Sequence, residues 1–237
     1  MALPKLTTPT YELEVPSTDE KIKYRPFLVR EEKILLIALE SEESKDILNA
    51  VKDIVAECTF NKLKIGDMPM FDIEYIFLNI RAKSVGEVSQ LKLKCPDDDE
   101  TFAEVEIDLS KVNVQVDKGH NPKIELTKDM GLIMKYPSID SFAGSGITNI
   151  TTDNMLDVIG SCILQIYDKK GEEVFEAKDQ TKKELSDFVE SLNTKQFQEV
   201  QKFFDTMPKL THKVTIENPK TKVKSDVILQ GLNDFFV

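Results

Sequence analysis

The chain holds few residues of the kinds from which reactive sites are built. Only two histidines, His120 and His212, occur in 237 residues. Each falls in a predicted loop or strand edge without a metal-ligand partner at short spacing, and reads as a surface histidine. The three cysteines, Cys58, Cys95 and Cys162, are odd in number and widely spaced, which excludes a disulfide framework. Cys58 and Cys162 fall on the apolar stripes of predicted helices, as small buried hydrophobes do. No Walker loop, dinucleotide fingerprint or nucleophile elbow is present. Gly144-Ser145-Gly146 has no following Lys-Ser or Lys-Thr, so it reads as a flexible joint rather than a phosphate cradle. Acidic pairs such as Glu42-Glu43, Asp97-Asp98 and Glu172-Glu173 have a solvated context, whereas a catalytic carboxylate needs surroundings that shift its pKa.

Basic blocks are also missing. The net charge of −11 comes from 42 acids against 31 bases, and nothing clusters Lys and Arg as phosphate neutralisation requires. Nucleic acid is excluded as an expected partner. No apolar run reaches the roughly 18–20 residues of a spanning helix, and the N-terminus lacks the basic-then-apolar layout of a signal peptide. The expectation is a protein that stays in the cytoplasm where it is made, without a membrane partner. With 41% hydrophobic and 31% charged residues, the length suits one large domain or two small ones.

Residues 1–23 contain Pro4, Pro9 and Pro16, with Tyr11, Leu13 and Val15 in alternation. They read as an extended N-terminal arm with one short strand, either frayed or docked on a neighbour. Pro26 then fixes a corner by pushing Arg25 toward extended backbone. Ile34, Leu35, Ala38 and Leu39 follow at helical spacing. Ser44 reads as the cap of a second helix whose stripe is Ile47, Leu48, Val51, Ile54, Val55 and Cys58. A more fully apolar helix is predicted from Pro69 to Ser84, ended by Gly86. Gln90–Lys94 and Phe102–Leu109 alternate as a hairpin with an acidic tip. That tip, Cys95-Pro96-Asp97-Asp98-Asp99-Glu100, lacks the glycine and alternating ligands of a calcium loop, and Cys95 lacks the partner a zinc knuckle needs. It reads as a solvated turn.

Residues 110–150 read as short strands or extended connections. Thr151 or Thr152 would cap a helix carrying Met155, Leu156, Ile159, Cys162, Ile163 and Ile166. After a short strand at Val174-Phe175, Thr181 and Glu184 form a capping box for the next helix. Thr194 reads as the cap of another, which Pro208 ends. A second hairpin is predicted at 213–216 and 223–229. The expected architecture is α+β: two helix-plus-β-hairpin halves joined by a β-rich connection, with an arm at 1–23, a first half at 24–143 and a second at 144–237. The repeated order of elements suggests a duplication.

The features suited to contact are the arm, the corner and the terminal aromatics, because aromatic and Arg anchors dominate interface energies. The candidate partner-binding residues are Tyr11, Arg25, Pro26, Phe27, Asp234, Phe235 and Phe236. Phe27 and Phe235 read either as contact residues or as core. The layout of a short N-terminal arm, the Arg25-Pro26-Phe27 motif, a helical region and the Asp234-Phe235-Phe236 end resembles the baseplate hub and hub-assembly proteins of T-even-type tailed phages, over most of the chain. The resemblance implies a structural or assembly role exercised on other baseplate hub proteins, without catalytic chemistry, cofactor or metal. It places the protein in the host cytoplasm during assembly, and in the virion's tail baseplate if it is retained. The alternatives are a transient assembly factor absent from the mature virion, or a hydrolase or metal-dependent enzyme using Asp97 and Asp98.

Overall fold

The computed structural model describes residues 6–41, 43–144 and 155–235. The protein is α+β, and its contacts gather into two compact units, residues 1–115 with 209–237, and residues 116–208.

The first unit opens with a hairpin, β1 (Tyr11–Glu14) against β2 (Lys21–Tyr24), rather than the single strand expected. Leu13, Val15, Ile22 and Tyr24 are buried, so an arm beginning at residue 1 ends before Tyr11; the described residues 6–10 are exposed. Helices α1 (Val29–Glu40), α2 (Ser44–Cys58) and α3 (Met70–Val85) follow. Ser44 is the first helical residue, with Glu43 in the cap position. Helix α3 carries the unit: Ile73, Ile76, Phe77 and Ile80 are fully buried, and Leu78 and Ala82 face a separate cluster with strand residues. Burying each such Ile or Phe contributes roughly 1.5–3 kcal/mol, far more than helix propensity supplies. Gly86, with φ +133°, ends α3 in a conformation that other residues rarely adopt.

Strands β3 (Val88–Lys94) and β4 (Phe102–Asp108) form the predicted hairpin, and β5 (Asn113–Gln115) completes this stretch.

The second unit contains the antiparallel sheet β6 (Lys123–Glu125), β7 (Met130–Met134), β8 (Ile163–Asp168) and β9 (Glu173–Glu176). Its helices are α4 (Ile139–Gly144), α5 (Met155–Ser161), α6 (Lys182–Glu190) and α7 (Thr194–Thr206). The helix expected through Ile166 therefore stops at Ser161, and Cys162 lies just beyond it. The spacing misleads for a specific reason. Ile163 pairs with Met134 and Ile166 with Leu132, while a bulge sets Gln165 against Ile133. The bulge adds one residue to β8, so Ile163 and Ile166 share a sheet face although three positions apart. That interval imitates a helical stripe.

The Thr181–Glu184 box forms as expected, with Glu184 N–H donating to Thr181 Oγ1 at 3.2 Å. Asn193, not Thr194, caps α7, accepting from the N–H groups of Lys195 and Gln196. Gly131 admits no side chain, because a Cβ there would collide with the Ile124 carbonyl oxygen. The expected cap at Thr151 or Thr152 and the joint at 145–146 lie outside the described residues.

Strands β10 (Lys209–Glu217) and β11 (Lys224–Gln230) make the C-terminal hairpin. They were expected to close the second half, but β10 pairs with β5 and the hairpin belongs to the first unit. Residue 144, the expected boundary, lies inside the second unit.

Candidate functional site

The Arg25-Pro26-Phe27 corner is fixed by three helices. Arg25 N–H donates to the Cys58 carbonyl at the end of α2, and Phe27 N–H to Ser84 Oγ near the end of α3. Its third anchor is Glu31 in the first turn of α1. The Glu31 carboxylate accepts from Arg25 Nη2 at 3.1 Å, from Arg30 Nε at 2.6 Å and from Leu28 N–H at 2.6 Å. The last bond satisfies an amide that the helix itself leaves unpaired. Burial pushes the Glu31 carboxyl up, but the bonds from Arg25, Arg30 and Leu28 outweigh it and hold the group below the ordinary glutamate value. Arg25 is buried, and its guanidinium also donates to the Pro26 carbonyl.

Tyr11 sits at the same end of α3. It pairs with Tyr24, their rings 5.7 Å apart, and Lys83 Nζ lies 5.4 Å from its ring centroid. The final turn of α3 thus meets both Tyr11 and the corner, through Lys83 and Ser84. At the other end of α3, buried Asp72 accepts from Ser17 N–H and Ser17 Oγ and ties down the turn of the first hairpin. Burial raises the Asp72 pKa, and the Ser17 bonds oppose the rise.

The C-terminal candidates lie elsewhere. Phe235 is fully buried in the cluster of Leu78, Leu210 and Leu229, and Asp234 accepts from Gln230 N–H at 2.7 Å. Phe236 lies outside the described residues. Beneath this segment Glu74 accepts from Leu232 N–H, and burial of its carboxyl pushes the pKa up to about 7. Glu74 and Ser84 are separated by roughly 15 Å along the helix. The structure therefore brings Tyr11, Arg25, Pro26 and Phe27 into one neighbourhood and leaves Asp234 and Phe235 at a distance from it along α3.

A raised glutamate pKa means that the folded state binds the proton more tightly than the unfolded chain. Glu74 thus opposes folding above about pH 7, and the opposition fades as the pH falls toward 4.5. Glu74→Gln is expected to stabilise the protein at pH 8 by at most about 3 kcal/mol, reduced by the residue's partial exposure. The gain should shrink toward pH 5. Thermal melts of both proteins across this range check the sign.

The acidic tip is bonded within the first unit. Asp97 accepts from Asn218 Nδ2 at 3.0 Å and from the Thr221 hydroxyl, and Asp98 accepts from the N–H and hydroxyl of Thr101. These bonds hold both carboxyls below the ordinary aspartate range. Asn218 is buried, so the contact pins one hairpin tip to the other. Among the described residues no group of three His, Cys, Asp or Glu side chains is arranged to hold a metal. The three cysteines are free and buried, with burial pushing Cys58 and Cys162 up to about 11.

His120 is less exposed than a surface histidine. It is half-buried in the second unit, 3.0 Å from both Thr206 Oγ1 and Tyr136 Oη, with its ring stacked on Tyr136 and tilted against Phe203. Burial lowers its pKa.

The feature that periodicity missed is the outer face of α1. Of the apolar run Ile34–Leu39 only Ala38 is buried, while Ile34, Leu36, Ile37 and Leu39 are exposed. Six consecutive apolar residues exceed what one buried stripe uses, and that excess was the available signal.

Comparison with curated proteins and with solved structures finds no match. A family model does match, and it covers residues 8–237, nearly the whole chain. Its description is T4 bacteriophage base plate protein, and the chain belongs to that family, with a structural or assembly role in the phage baseplate.

Proposed function

We propose that the protein is a component of the baseplate hub, working through contacts with other hub proteins while the hub is built. The family match over residues 8–237 carries the baseplate part of this reading. The hub assignment draws on the layout of arm, Arg25 corner and aromatic end. Arg25 and Phe235 are committed to the protein's own interior, so the contact role falls on half-buried Tyr11 and Phe27 and on the exposed segment before β1. Leu6 is 95% exposed, and ordering such a segment costs about 1–2 kcal/mol of backbone entropy per residue. A partner groove supplies the burial that offsets this cost.

Deleting residues 2–10 is expected to leave the melting temperature nearly unchanged and to reduce co-purification with neighbouring hub proteins. Undiminished co-purification removes the arm from the contact surface. Mass spectrometry of purified virions separates a retained component, which is present, from a transient assembly factor, which is absent.

A further inference from the structure

On α1, successive residues turn by about 100°, so Val29, Lys33, Leu36, Ile37 and Glu40 lie within one arc of roughly 100°. All five are exposed: Val29 81%, Ile37 57% and Leu36 55%, with Lys33 and Glu40 also in the exposed class. The opposite side holds Glu31 and Ala38, which are buried. The outward arc is therefore an apolar centre with a cation toward the helix N-terminus and an anion toward its C-terminus. Neither Lys33 nor Glu40 forms an ion pair among the described residues.

We propose that this face binds a second copy of the same chain, α1 against α1 in antiparallel order about a two-fold axis between Leu36 and Ile37. Reversing the helix direction places Lys33 of each copy opposite Glu40 of the other, and Leu36 opposite Ile37. The positions are self-complementary because each pair is equidistant from the axis, as an isologous contact requires. An unrelated partner needs no such symmetry of charge.

Two effects compete. The net charge of −11 repels a second copy, but charges beyond a Debye length of about 10 Å are largely screened. The local pairs and the apolar centre act at contact, so they decide the outcome. A face of one 12-residue helix, about 18 Å long, is small for an interface. The expected dimer is weak, with a Kd of roughly 10–100 μM.

Sedimentation equilibrium of the purified full chain, over concentrations bracketing that value, tests the contact without any other baseplate protein. Its outcome is therefore independent of the hub reading. The unaltered chain should dimerise with rising concentration. Lys33→Glu or Glu40→Lys alone should weaken the dimer about tenfold, because both symmetric pairs become like-charged. The double variant Lys33→Glu with Glu40→Lys should restore it. These positions are exposed, so melting temperatures should stay close to that of the unaltered chain and confirm that each variant is folded. A chain that remains monomeric throughout overturns the proposal. So does a dimer indifferent to single charge reversal, or one that the double variant fails to restore.

Discussion

Glu31→Ala is expected to lower the unfolding free energy by about 3–5 kcal/mol, because it leaves the buried Arg25 guanidinium without its carboxylate. The same substitution frees the Leu28 amide, which Glu31 accepts at 2.6 Å. An exposed ion pair of the same length contributes at most about 1 kcal/mol, so burial rather than distance sets the size of the effect. Glu31 is 2% exposed and Arg25 8%. Arg25→Ala should cost less, since Arg30 and the Leu28 N–H remain as donors to the carboxylate. Replacing both members by apolar residues should recover much of the loss, because neither charge is then stranded. Urea denaturation of the four proteins measures all these terms. A loss for Glu31→Ala below about 1 kcal/mol means that the corner admits water, and the pair is then equivalent to a surface one.

The pH dependence separates Glu31 from Glu74. Glu31 has a lowered carboxyl pKa, so its contribution is complete above the unfolded value of 4.5 and is lost as pH falls through the lower folded value. Glu74 acts in the opposite sense and over a higher window, between about 7 and 4.5. Moderate acidification therefore relieves Glu74 while leaving the corner intact.

Much of the fold was legible because it is local. The stripe of α2, the two-sided apolar pattern of α3, both long hairpins and the Thr181–Glu184 box depend on residues a few positions apart. What could not be read depends on how the backbone turns between neighbours or on partners far away in sequence. Glu31 and Glu32 are adjacent acids, and only the fold decides that Glu31 meets Arg25. Asp72 meets Ser17 across 55 positions, and Asp97 meets Asn218 across 121. The bulge in β8 made a strand resemble a helix, and the pairing of β10 with β5 moved the last hairpin into the first unit. The candidate site was legible only in outline. The corner, Tyr11 and the aromatic end stood out as residue types, but a side chain suited to bind a partner is equally suited to fill a core. Burial alone separates the two uses.

Phe235 shows that separation most directly, and Phe235→Ala is expected to cost about 3–5 kcal/mol as the truncation of a buried aromatic. The ring is fully buried against Leu78 of α3 and against Leu210 and Leu229 of the last hairpin. Four bonds hold the segment that delivers it: Gly231 N–H to the Leu210 carbonyl, Phe235 N–H to the Leu232 carbonyl, Gln230 N–H to Asp234, and Leu232 N–H to Glu74. Gly231, with φ +71°, makes the turn that aims the segment back toward α3. Phe235 is the fully buried side chain of this segment, and Leu232 packs only partly buried against the same cluster, so removing the ring should release the segment. Hydrogen exchange should then rise at Gly231, Leu232 and Phe235 before it rises in the centre of β10. Asp234→Ala, which removes one bond and leaves the ring, should cost only about 0.5–1.5 kcal/mol. If Phe235→Ala instead leaves stability within about 0.5 kcal/mol of the unaltered protein, the ring is a surface residue in solution and returns to the contact candidates.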